Sequence, residues 1–244
     1  MKFQQCQHWL ASIRSAGLWA IGALYFGLFL LLVLWGSYFF SPRTLDPFLK
    51  KGLRCLFRLL GIPVTVKGLH HLDVNRTYLF MANHVSIFDI PLLGGYIPHC
   101  VRGVEADRQF RWPLYGYVVR RVGNIPISRE NAHAAIRSIH QAAERLKAGQ
   151  SMVILPEGHR TLDGRLRPFK RLPFYLAKKA GCEIVPVGLS GLFSLKRKGS
   201  WHIRPGPVMI QFGKPIDRET VQNLSINQLR DRTREAIEAL IEWP

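Results

Sequence analysis

From residue 61 to the C-terminus, short apolar runs alternate with longer stretches in which apolar residues recur every three or four positions. A short apolar run bounded by turn residues is typical of a buried strand, whereas the longer spacing is typical of an amphipathic helix. This alternation predicts an α/β domain. The predicted strands are residues 64–67, 78–82, 124–127, 152–155, 184–189 and 208–212.

Three helices in this part of the chain have clear sequence signals. The first covers residues 131–146, carries a stripe of alanine, isoleucine and leucine, and stops before Gly149, a residue that commonly ends helices. The second is predicted at about residues 173–179. The third lies near residues 227–241 and follows residues 225–228 (SINQ), which have the pattern of a helix capping box.

The N-terminal part has a different pattern, because no residue between Arg14 and Arg43 is charged. Residues 18–40 are almost entirely apolar and as a helix would measure about 34 Å, enough to cross a bilayer core of about 30 Å. Tryptophan and tyrosine lie toward both ends of this segment, as interfacial aromatic residues do. The segment is too long for a cleaved signal peptide, and no small-residue cleavage site follows it. The sequence therefore predicts attachment to a membrane.

Residues 45–60 are predicted to form a helix with leucine and phenylalanine on one face and lysine and arginine on another. Such a helix suits an anionic membrane surface, but the same pattern is expected when the apolar face packs on a protein core. The two N-terminal helices are either a spanning anchor plus a surface helix or a hairpin within one leaflet. The predicted organisation is a membrane anchor at residues 1–60 and a globular domain at residues 61–244.

The formal net charge is +18, and the sequence pI is about 10.4. This charge attracts anionic membrane lipids, nucleic acid, and acidic small molecules or carrier proteins. It also places the globular domain on the cytoplasmic face of the membrane, which in a bacterium is the inner membrane. No helix-turn-helix, RNA-recognition or zinc-finger pattern is found, so nucleic acid is not expected as a partner. The four cysteines are scattered without metal-ligand spacing, so no metal site is expected.

Candidate chemistry begins where the predicted strand 78–82 ends, at Asn83 and His84. A helix is predicted to start beside Asp89, because Pro91 is tolerated only in a first helical turn. The intervening loop lets the imidazole of His84 fold back onto the carboxylate of Asp89. This pairing supplies the base and the orienting acid that acyl chemistry needs. The alternative is that Asp89 only caps the helix and that Asn83 and His84 are ordinary polar residues at a strand end.

Two other predicted strands also end in polar residues. Segment 123–129 (GNIPISR) delivers Arg129, and strand 152–155 leads to Glu157, Gly158 and Arg160. A guanidinium group suits two-pronged phosphate binding, and Glu157 could orient it or an acceptor hydroxyl. Gly158 permits backbone geometry or a close ligand approach that other residues block. Sites of α/β proteins lie at strand ends, so these residues are predicted to share one site.

Taken in order, these segments resemble the sequence blocks of the glycerolipid acyltransferases, the family of 1-acylglycerol-3-phosphate acyltransferases. The matches are Asn83-His84-xxxx-Asp89 to NHxxxxD, segment 123–129 to GxxFIxR, segment 155–160 (LPEGHR) to FPEGTR, and segment 185–187 (VPV) to an apolar block with proline. The resemblance covers about residues 61–212. It implies a mixed sheet flanked by helices, as in glycerol-3-phosphate acyltransferases, and makes residues 61–244 an acyltransferase domain.

The resemblance also implies a reaction, in which a fatty acyl group moves from acyl-CoA or acyl carrier protein to the free hydroxyl of lysophosphatidic acid. His84 would act as general base and Asp89 would orient it. The thioester is a co-substrate, and no other cofactor is implied. The residues implied in substrate binding are Asn83, Arg129, Glu157, Gly158 and Arg160.

The chain departs from the family pattern at several positions. Pro126 and Ser128 stand where phenylalanine and aspartate are usual, and His159 replaces threonine. The family's Lys-x-Glu-Leu stretch is missing, and residues 104–108 (VEADR) stand in its place. Since that lysine would help to hold the acceptor phosphate, glycerol 3-phosphate or another lysolipid is the alternative acceptor. Candidate replacements for the lysine are Arg102, Arg108 and Arg111.

Two rival functions fit less of the sequence. A covalent serine hydrolase is suggested by Ser190 after a predicted strand, but residues 188–191 (GLSG) lack the GxSxG nucleophile elbow. A membrane-tethered module that only binds lipid or nucleic acid would account for the charge but for none of the ordered segments.

Overall fold

The computed structural model describes residues 2–243, with side chains described from Trp9 onward. The helices are α1 (Lys2–Gly36), α2 (Pro42–Leu59), α3 (Asp89–Tyr96), α4 (Tyr115–Val122), α5 (Ala132–Lys147), α6 (Leu172–Ala180), α7 (Leu192–Leu195), α8 (Arg218–Asn223) and α9 (Ile226–Glu238). The strands are β1 (Val64–Lys67), β2 (Tyr78–Ala82), β3 (Arg102–Ala106), β4 (Ile125–Ile127), β5 (Met152–Ile154), β6 (Glu183–Ser190) and β7 (Val208–Phe212).

The seven strands form one mixed sheet in the order β1-β7-β6-β2-β5-β3-β4. Neighbouring strands are parallel except for β6 and β7, which pair antiparallel. β2 lies near the centre, and all of its residues are buried, which explains its continuous apolar sequence. Because β2, β5, β3 and β4 run in the same direction, their carboxyl ends lie at one edge of the sheet.

Each face of the sheet carries its own hydrophobic core. Successive side chains of β2 point to opposite faces, so Phe80 packs in one core while Leu79 and Met81 pack in the other. The first core is covered by α2 and α3, and the second by α5, α6 and α9. The fold is therefore α/β with a mixed sheet flanked by helices, as predicted.

Helix α2 belongs to the first of these cores. Phe57 is completely buried there, and Leu56 lies beside it. On the next face, Arg54 donates a hydrogen bond to the carbonyl of Gly95 at 2.6 Å and lies over the ring of Tyr96. The apolar face of α2 thus packs on the protein core, one of the two interpretations that its sequence pattern left open.

Helix α1 lies along the domain rather than projecting away from it. The hydroxyl of Ser15 accepts a hydrogen bond from the N–H of Ile203 at 3.2 Å. One turn further on, the indole N–H of Trp19 donates to the carbonyl of Trp201 at 2.6 Å, and near the end of the helix Val33 is completely buried. Its opposite face exposes Trp9, Leu10, Ile13, Ile21, Leu24, Leu28, Leu31, Leu32 and Trp35.

The segment Trp9–Gly36 is long and apolar enough to cross a membrane. The predicted limits of this helix, residues 18–40, were wrong at both ends. The helix continues through Arg14 toward the N-terminus. The predicted limit was set by where charged residues occur, and a charged residue does not end a helix. It ends at Gly36, a residue type that commonly terminates helices.

The six predicted strands are confirmed to within one residue at each end. The predicted helices 131–146 and 173–179 are confirmed within one residue, and the capping box of Ser225 and Gln228 is formed at the start of α9. Strand β3 was missed, because Arg102 and Glu105 interrupt its apolar pattern although both point into protein. The helix predicted at 227–241 ends earlier, at Glu238.

Candidate active site

His84 and Asp89 meet across the loop that joins β2 to α3. Nδ1 of His84 lies 2.6 Å from Oδ2 of Asp89. The imidazole is 13% exposed and the carboxylate is completely buried. Since an ionised carboxylate only accepts hydrogen bonds, Nδ1 carries the proton and Nε2 is left with a lone pair. The structure thus joins the predicted base to its predicted orienting acid.

The carboxylate of Asp89 is held by the loop itself. Oδ2 also accepts a hydrogen bond from the N–H of Val85 at 2.7 Å, and Oδ1 accepts one from the N–H of Ser86 at 2.9 Å. These amides precede the helix, and Phe88, not Asp89, occupies the N-cap position of α3. Asp89 therefore fixes the loop around His84. The alternative interpretation, in which Asp89 only caps the helix, does not hold.

Glu157, just beyond β5, holds the same loop from a different strand. One of its oxygens accepts a hydrogen bond from the main-chain N–H of His84 at 2.6 Å, and the other accepts one from the N–H of Arg167 at 2.8 Å. Burial raises the pKa of Glu157 to about 7, against the lowering effect of these two donors. Both oxygens of Glu157 thus accept from backbone amides, while its role in substrate binding stays a prediction.

Asn83 likewise faces the protein. Its amide nitrogen donates to the carbonyl of Leu189 at 3.0 Å, and its amide oxygen accepts from the N–H of the same residue at 2.8 Å. The side chain is buried against β6. Asn83 therefore ties the His84 loop to the neighbouring strand, and its contact with substrate stays a prediction.

The turn after Glu157 brings Arg160 to the loop. Gly158 has a φ of 73°, a left-handed conformation that favours glycine, which accounts for a glycine at this position. Three residues later, the N–H of Thr161 donates to the carbonyl of His84 at 2.9 Å. Arg160 is half-buried. The next residue, Thr161, is hydrogen-bonded directly to His84.

Arg129 lies at the same edge, beyond the end of β4. Its Nη1 is 3.1 Å from Nδ1 of His159, which accepts the hydrogen bond in its neutral form. Burial and the neighbouring cations Arg108 and Arg160 lower the pKa of the Arg129 guanidinium. Burial and Arg129 lower the pKa of His159 in turn. The charges of the two predicted arginines therefore act on each other, which makes this edge of the sheet strongly positive.

An apolar cavity of about 540 Å³ opens beside His84. It follows β3 from Ala106 at the carboxyl edge of the sheet back to Arg102 at the opposite edge. Its apolar walls come from α1, α2, α4 and the end of β5, through Phe29, Leu30, Leu49, Leu53, Val118, Val119, Val122 and Leu155. A cavity of this size and lining fits a hydrocarbon chain.

Three polar residues, Glu105, Tyr115 and Asn124, also line this cavity and form a cluster that the sequence analysis did not predict. Glu105 accepts a hydrogen bond from the hydroxyl of Tyr115 at 2.7 Å and another from the amide of Asn124. Burial raises the pKa of both Glu105 and Tyr115. Tyr115, on α4, and Asn124, just before β4, follow Glu105 by 10 and 19 positions, so no local pattern could reveal the cluster.

Arg102 closes the opposite end of β3. It is 4% exposed and donates to the carbonyls of Val101 and Pro42 at 2.7 and 2.9 Å. One of its nitrogens also lies 3.6 Å from Asp46 of α2. Arg102 is therefore excluded as a replacement for the family lysine, since its donors are used far from His84 to join α2 to the sheet.

Ser190, the basis of the serine hydrolase alternative, is buried at the end of β6. Its hydroxyl accepts a hydrogen bond from the main-chain N–H of Glu242 at 2.9 Å. This contact makes Ser190 a tether for the C-terminal segment, and it does not present the hydroxyl as a nucleophile.

Comparison with known proteins is consistent with this geometry. A 1-acyl-sn-glycerol-3-phosphate acyltransferase of Cocos nucifera is 33% identical over 175 residues, which cover 71% of this chain and 56% of that protein. The 1-acyl-sn-glycerol-3-phosphate acyltransferase alpha of Ovis aries is 30% identical over 182 residues, 73% of this chain and 63% of that protein. The chain thus spans somewhat more than half the length of these relatives.

The fold is similar to the crystal structure of the 1-acyl-sn-glycerophosphate (LPA) acyltransferase PlsC from Thermotoga maritima. The TM-score is 0.83, and the match covers 96% of this chain and 99% of that one at 24% sequence identity. The sequence model of the family described as Acyltransferase matches residues 63–190, more than half of the chain and the part that contains His84, Asp89, Arg129 and Glu157. The chain therefore belongs to the Acyltransferase family.

Proposed function

We propose that this protein transfers a fatty acyl group from an acyl thioester to the free hydroxyl of 1-acyl-sn-glycerol 3-phosphate, which gives phosphatidic acid. The observation that carries the proposal is the His84–Asp89 pair, with His84 lining an apolar cavity and with Arg129 and Arg160 at the same edge of the sheet. The named relatives support the choice of acceptor, because their names state this activity.

In this mechanism, Nε2 of His84 removes the proton of the acceptor hydroxyl while the hydroxyl oxygen attacks the thioester carbonyl. A tetrahedral intermediate forms and then collapses with cleavage of the carbon–sulfur bond. The proton on His84 passes to the departing thiolate, so the base is regenerated. Asp89 keeps Nδ1 protonated and stabilises the imidazolium in between. General base catalysis of this kind contributes about 10²- to 10⁴-fold.

The apolar cavity holds the acyl chain that is transferred, with the thioester carbonyl beside His84, which lines the cavity. Arg129 and Arg160 bind the phosphate of the acceptor. Asn83 and Glu157 act on the substrates only through the loop that they hold. The remaining acceleration comes from binding both substrates in line, because a positioned pair reacts as a single molecule.

The N-terminal residues 1–60 anchor the acyltransferase domain, residues 61–244, to the cytoplasmic face of a membrane. Support comes from the apolar exposed face of α1 and from the net charge of +18, which attracts anionic lipid. The contacts of α1 with the domain extend from Ser15 to Val33. A helix held along its length by a water-soluble domain lies in one leaflet more readily than across the bilayer, so we favour the one-leaflet arrangement.

The test is an acceptor and donor screen on the purified protein in nanodiscs, with products identified by mass spectrometry. Lysophosphatidic acid with acyl-CoA or acyl carrier protein should give phosphatidic acid. Exclusive acylation of glycerol 3-phosphate or of another lysolipid would replace the proposed acceptor and keep the acyltransferase chemistry. Absence of ester formation with any acceptor, in protein shown to be folded, would overturn the proposal.

A further inference from the structure

Lys196 is a buried lysine that the proposed mechanism does not use. It follows α7 and is 8% exposed, although lysine is almost never buried without a partner. Its main-chain carbonyl accepts a hydrogen bond from the hydroxyl of Ser86 at 2.7 Å. Ser86 lies in the same loop as His84 and donates its N–H to Asp89. The backbone of Lys196 is therefore fixed to the loop that carries the proposed base.

The ammonium group of Lys196 has few partners. Nζ donates to the carbonyl of Arg197 at 3.2 Å and lies 5.9 Å from the centre of the Trp19 ring. Among the side chains that the structure describes, no carboxylate forms an ion pair with Lys196 or with Arg160. Burial and the charge of Arg160 lower the pKa of Lys196.

Arg160 and Lys196 both lie beside the His84 loop. The residue after Arg160 donates its N–H to the carbonyl of His84, and Lys196 is bonded to Ser86. The two cations repel each other, as the lowered pKa of Lys196 reflects, and burial increases the cost because neither is fully solvated. An anion placed between them would remove both penalties, and a phosphomonoester has the charge and the acceptor oxygens to do so.

We propose that Lys196 and Arg160 together bind the phosphomonoester group of the acceptor lipid. This assignment rests on the proposed function and adds to it a residue outside the family-like segments. The indole of Trp19 lies over Lys196 and is fixed by its hydrogen bond to Trp201. Since Trp19 belongs to the membrane-facing helix α1, the phosphate is held where tryptophan prefers to lie, at the boundary between lipid and water.

Kinetic constants of three variants test this role. Lys196→Met keeps the apolar stem under Trp19 but removes the charge, and it should raise the KM for lysophosphatidic acid by about 10- to 100-fold. The KM for the acyl donor should change less than about twofold, which separates charge loss from misfolding. Lys196→Arg should recover much of the loss. The matched control is Arg197→Ala, which removes an exposed cation from the same loop and should leave both constants near the wild-type values.

Binding without a donor tests the same role independently of turnover. Titration of lysophosphatidic acid and of uncharged monoacylglycerol into detergent-solubilised protein should show a preference for the phosphorylated lipid in the wild type and in Arg197→Ala, and a loss of that preference in Lys196→Met. If the preference persists in Lys196→Met, or is missing from the wild type, the inference is wrong. Phosphate-selective binding through Lys196 without acyl transfer would keep the inference and reject the proposed function. Acyl transfer with wild-type constants in Lys196→Met would reject the inference and keep the proposed function.

Discussion

The carboxylate of Glu157 accepts a hydrogen bond of 2.6 Å from the main-chain N–H of His84, a residue 73 positions earlier in the chain. The position of the proposed base therefore depends on a side chain delivered by a different strand, β5. The other oxygen of Glu157 holds the N–H of Arg167, so one buried carboxyl group joins two loops at the site. Any change in its protonation affects both loops.

The first prediction concerns pH and Glu157. A carboxyl group with a pKa raised to about 7 binds its proton more tightly in the folded than in the unfolded protein. Its stabilising contribution is therefore present at low pH and is lost as the pH rises through about 7. Glu157→Gln cannot titrate. Between pH 5 and pH 8, the free energy of unfolding of the wild type should fall by roughly 2–3 kcal/mol more than that of Glu157→Gln.

Chemical denaturation of both proteins at the two pH values measures this difference. The control is Glu219→Gln, which alters an exposed carboxyl group and should follow the wild-type pH dependence. A constant gap between wild type and Glu157→Gln at pH 5 and pH 8 would mean that the two N–H donors keep the carboxylate ionised throughout this range.

The second prediction concerns His84 and Asp89. His84→Ala should reduce kcat by at least about 10²-fold and shift the melting temperature little, because the imidazole lines the cavity. Asp89→Asn should lower both activity and stability. Its amide NH₂ would face the N–H of Val85, where the carboxylate now accepts. Turnover at the wild-type rate in His84→Ala would eliminate the proposed mechanism.

The third prediction concerns Arg129. If it binds the acceptor phosphate, Arg129→Ala should raise the KM of the phosphorylated acceptor by about 10- to 150-fold, the equivalent of a lost charge-assisted hydrogen bond of about 1.5–3 kcal/mol. The KM of the acyl donor should change far less. Arg137→Ala removes an exposed cation from α5 and serves as the control. Equal effects of Arg129→Ala on both substrates would indicate a role in positioning the loop.

The fourth prediction concerns the cavity wall. Val119 of α4 is buried and lines the cavity, so Val119→Phe should place a ring inside it and shorten the space for a chain. In competition between acyl donors of different length, the preferred chain should become shorter, with transfer of the shortest donors little affected. Ile136→Phe makes a similar enlargement at an exposed position of α5 and should leave the preference unchanged. An unaltered preference in Val119→Phe would show that the transferred chain lies elsewhere.

Much of this site could be predicted because its signals are local. An apolar run that ends in Asn83-His84, followed by Asp89 beside a helix start, is readable from neighbouring residues alone. The roles of Asn83 and Glu157 were not readable, since their partners Leu189 and His84 lie in distant segments. The sequence identifies which residues stand at strand ends, but only strand order determines whether they face substrate or backbone.

The same limit applies to β3 and to the N-terminal helices. β3 contains Arg102 and Glu105, which are tolerated inside the protein because Asp46 and Tyr115 are their partners there. The apolar periodicity of the sequence therefore did not predict this strand. For α2, the pattern fitted a membrane surface as well as a protein core. Packing of Phe57 against α3 and the sheet, which no sequence window contains, distinguishes the two.

The last prediction concerns the membrane-facing side of α1. Deletion of residues 1–60 would also remove Phe57 and Leu60 from the core, so substitutions on the exposed face test the anchor more cleanly. Leu24 and Leu28 are 67% and 55% exposed and do not line the cavity. Leu24→Glu with Leu28→Glu should release much of the protein from membranes in a carbonate wash, whereas the wild type should stay bound, because burying a carboxylate in lipid is costly.

The same double variant separates anchoring from catalysis. Turnover of a long-chain acceptor embedded in a bilayer should fall, while turnover of a short-chain, water-soluble acceptor should be nearly unchanged, because His84, Arg129 and the cavity walls are intact. Val74→Glu, which adds a carboxylate at an exposed position of the globular domain, is the control and should stay membrane-bound. If the double variant also stayed bound, the basic surface of the domain would be the main anchor. If it were released yet acylated the long-chain acceptor at the wild-type rate, α1 would have no part in presenting that lipid to His84.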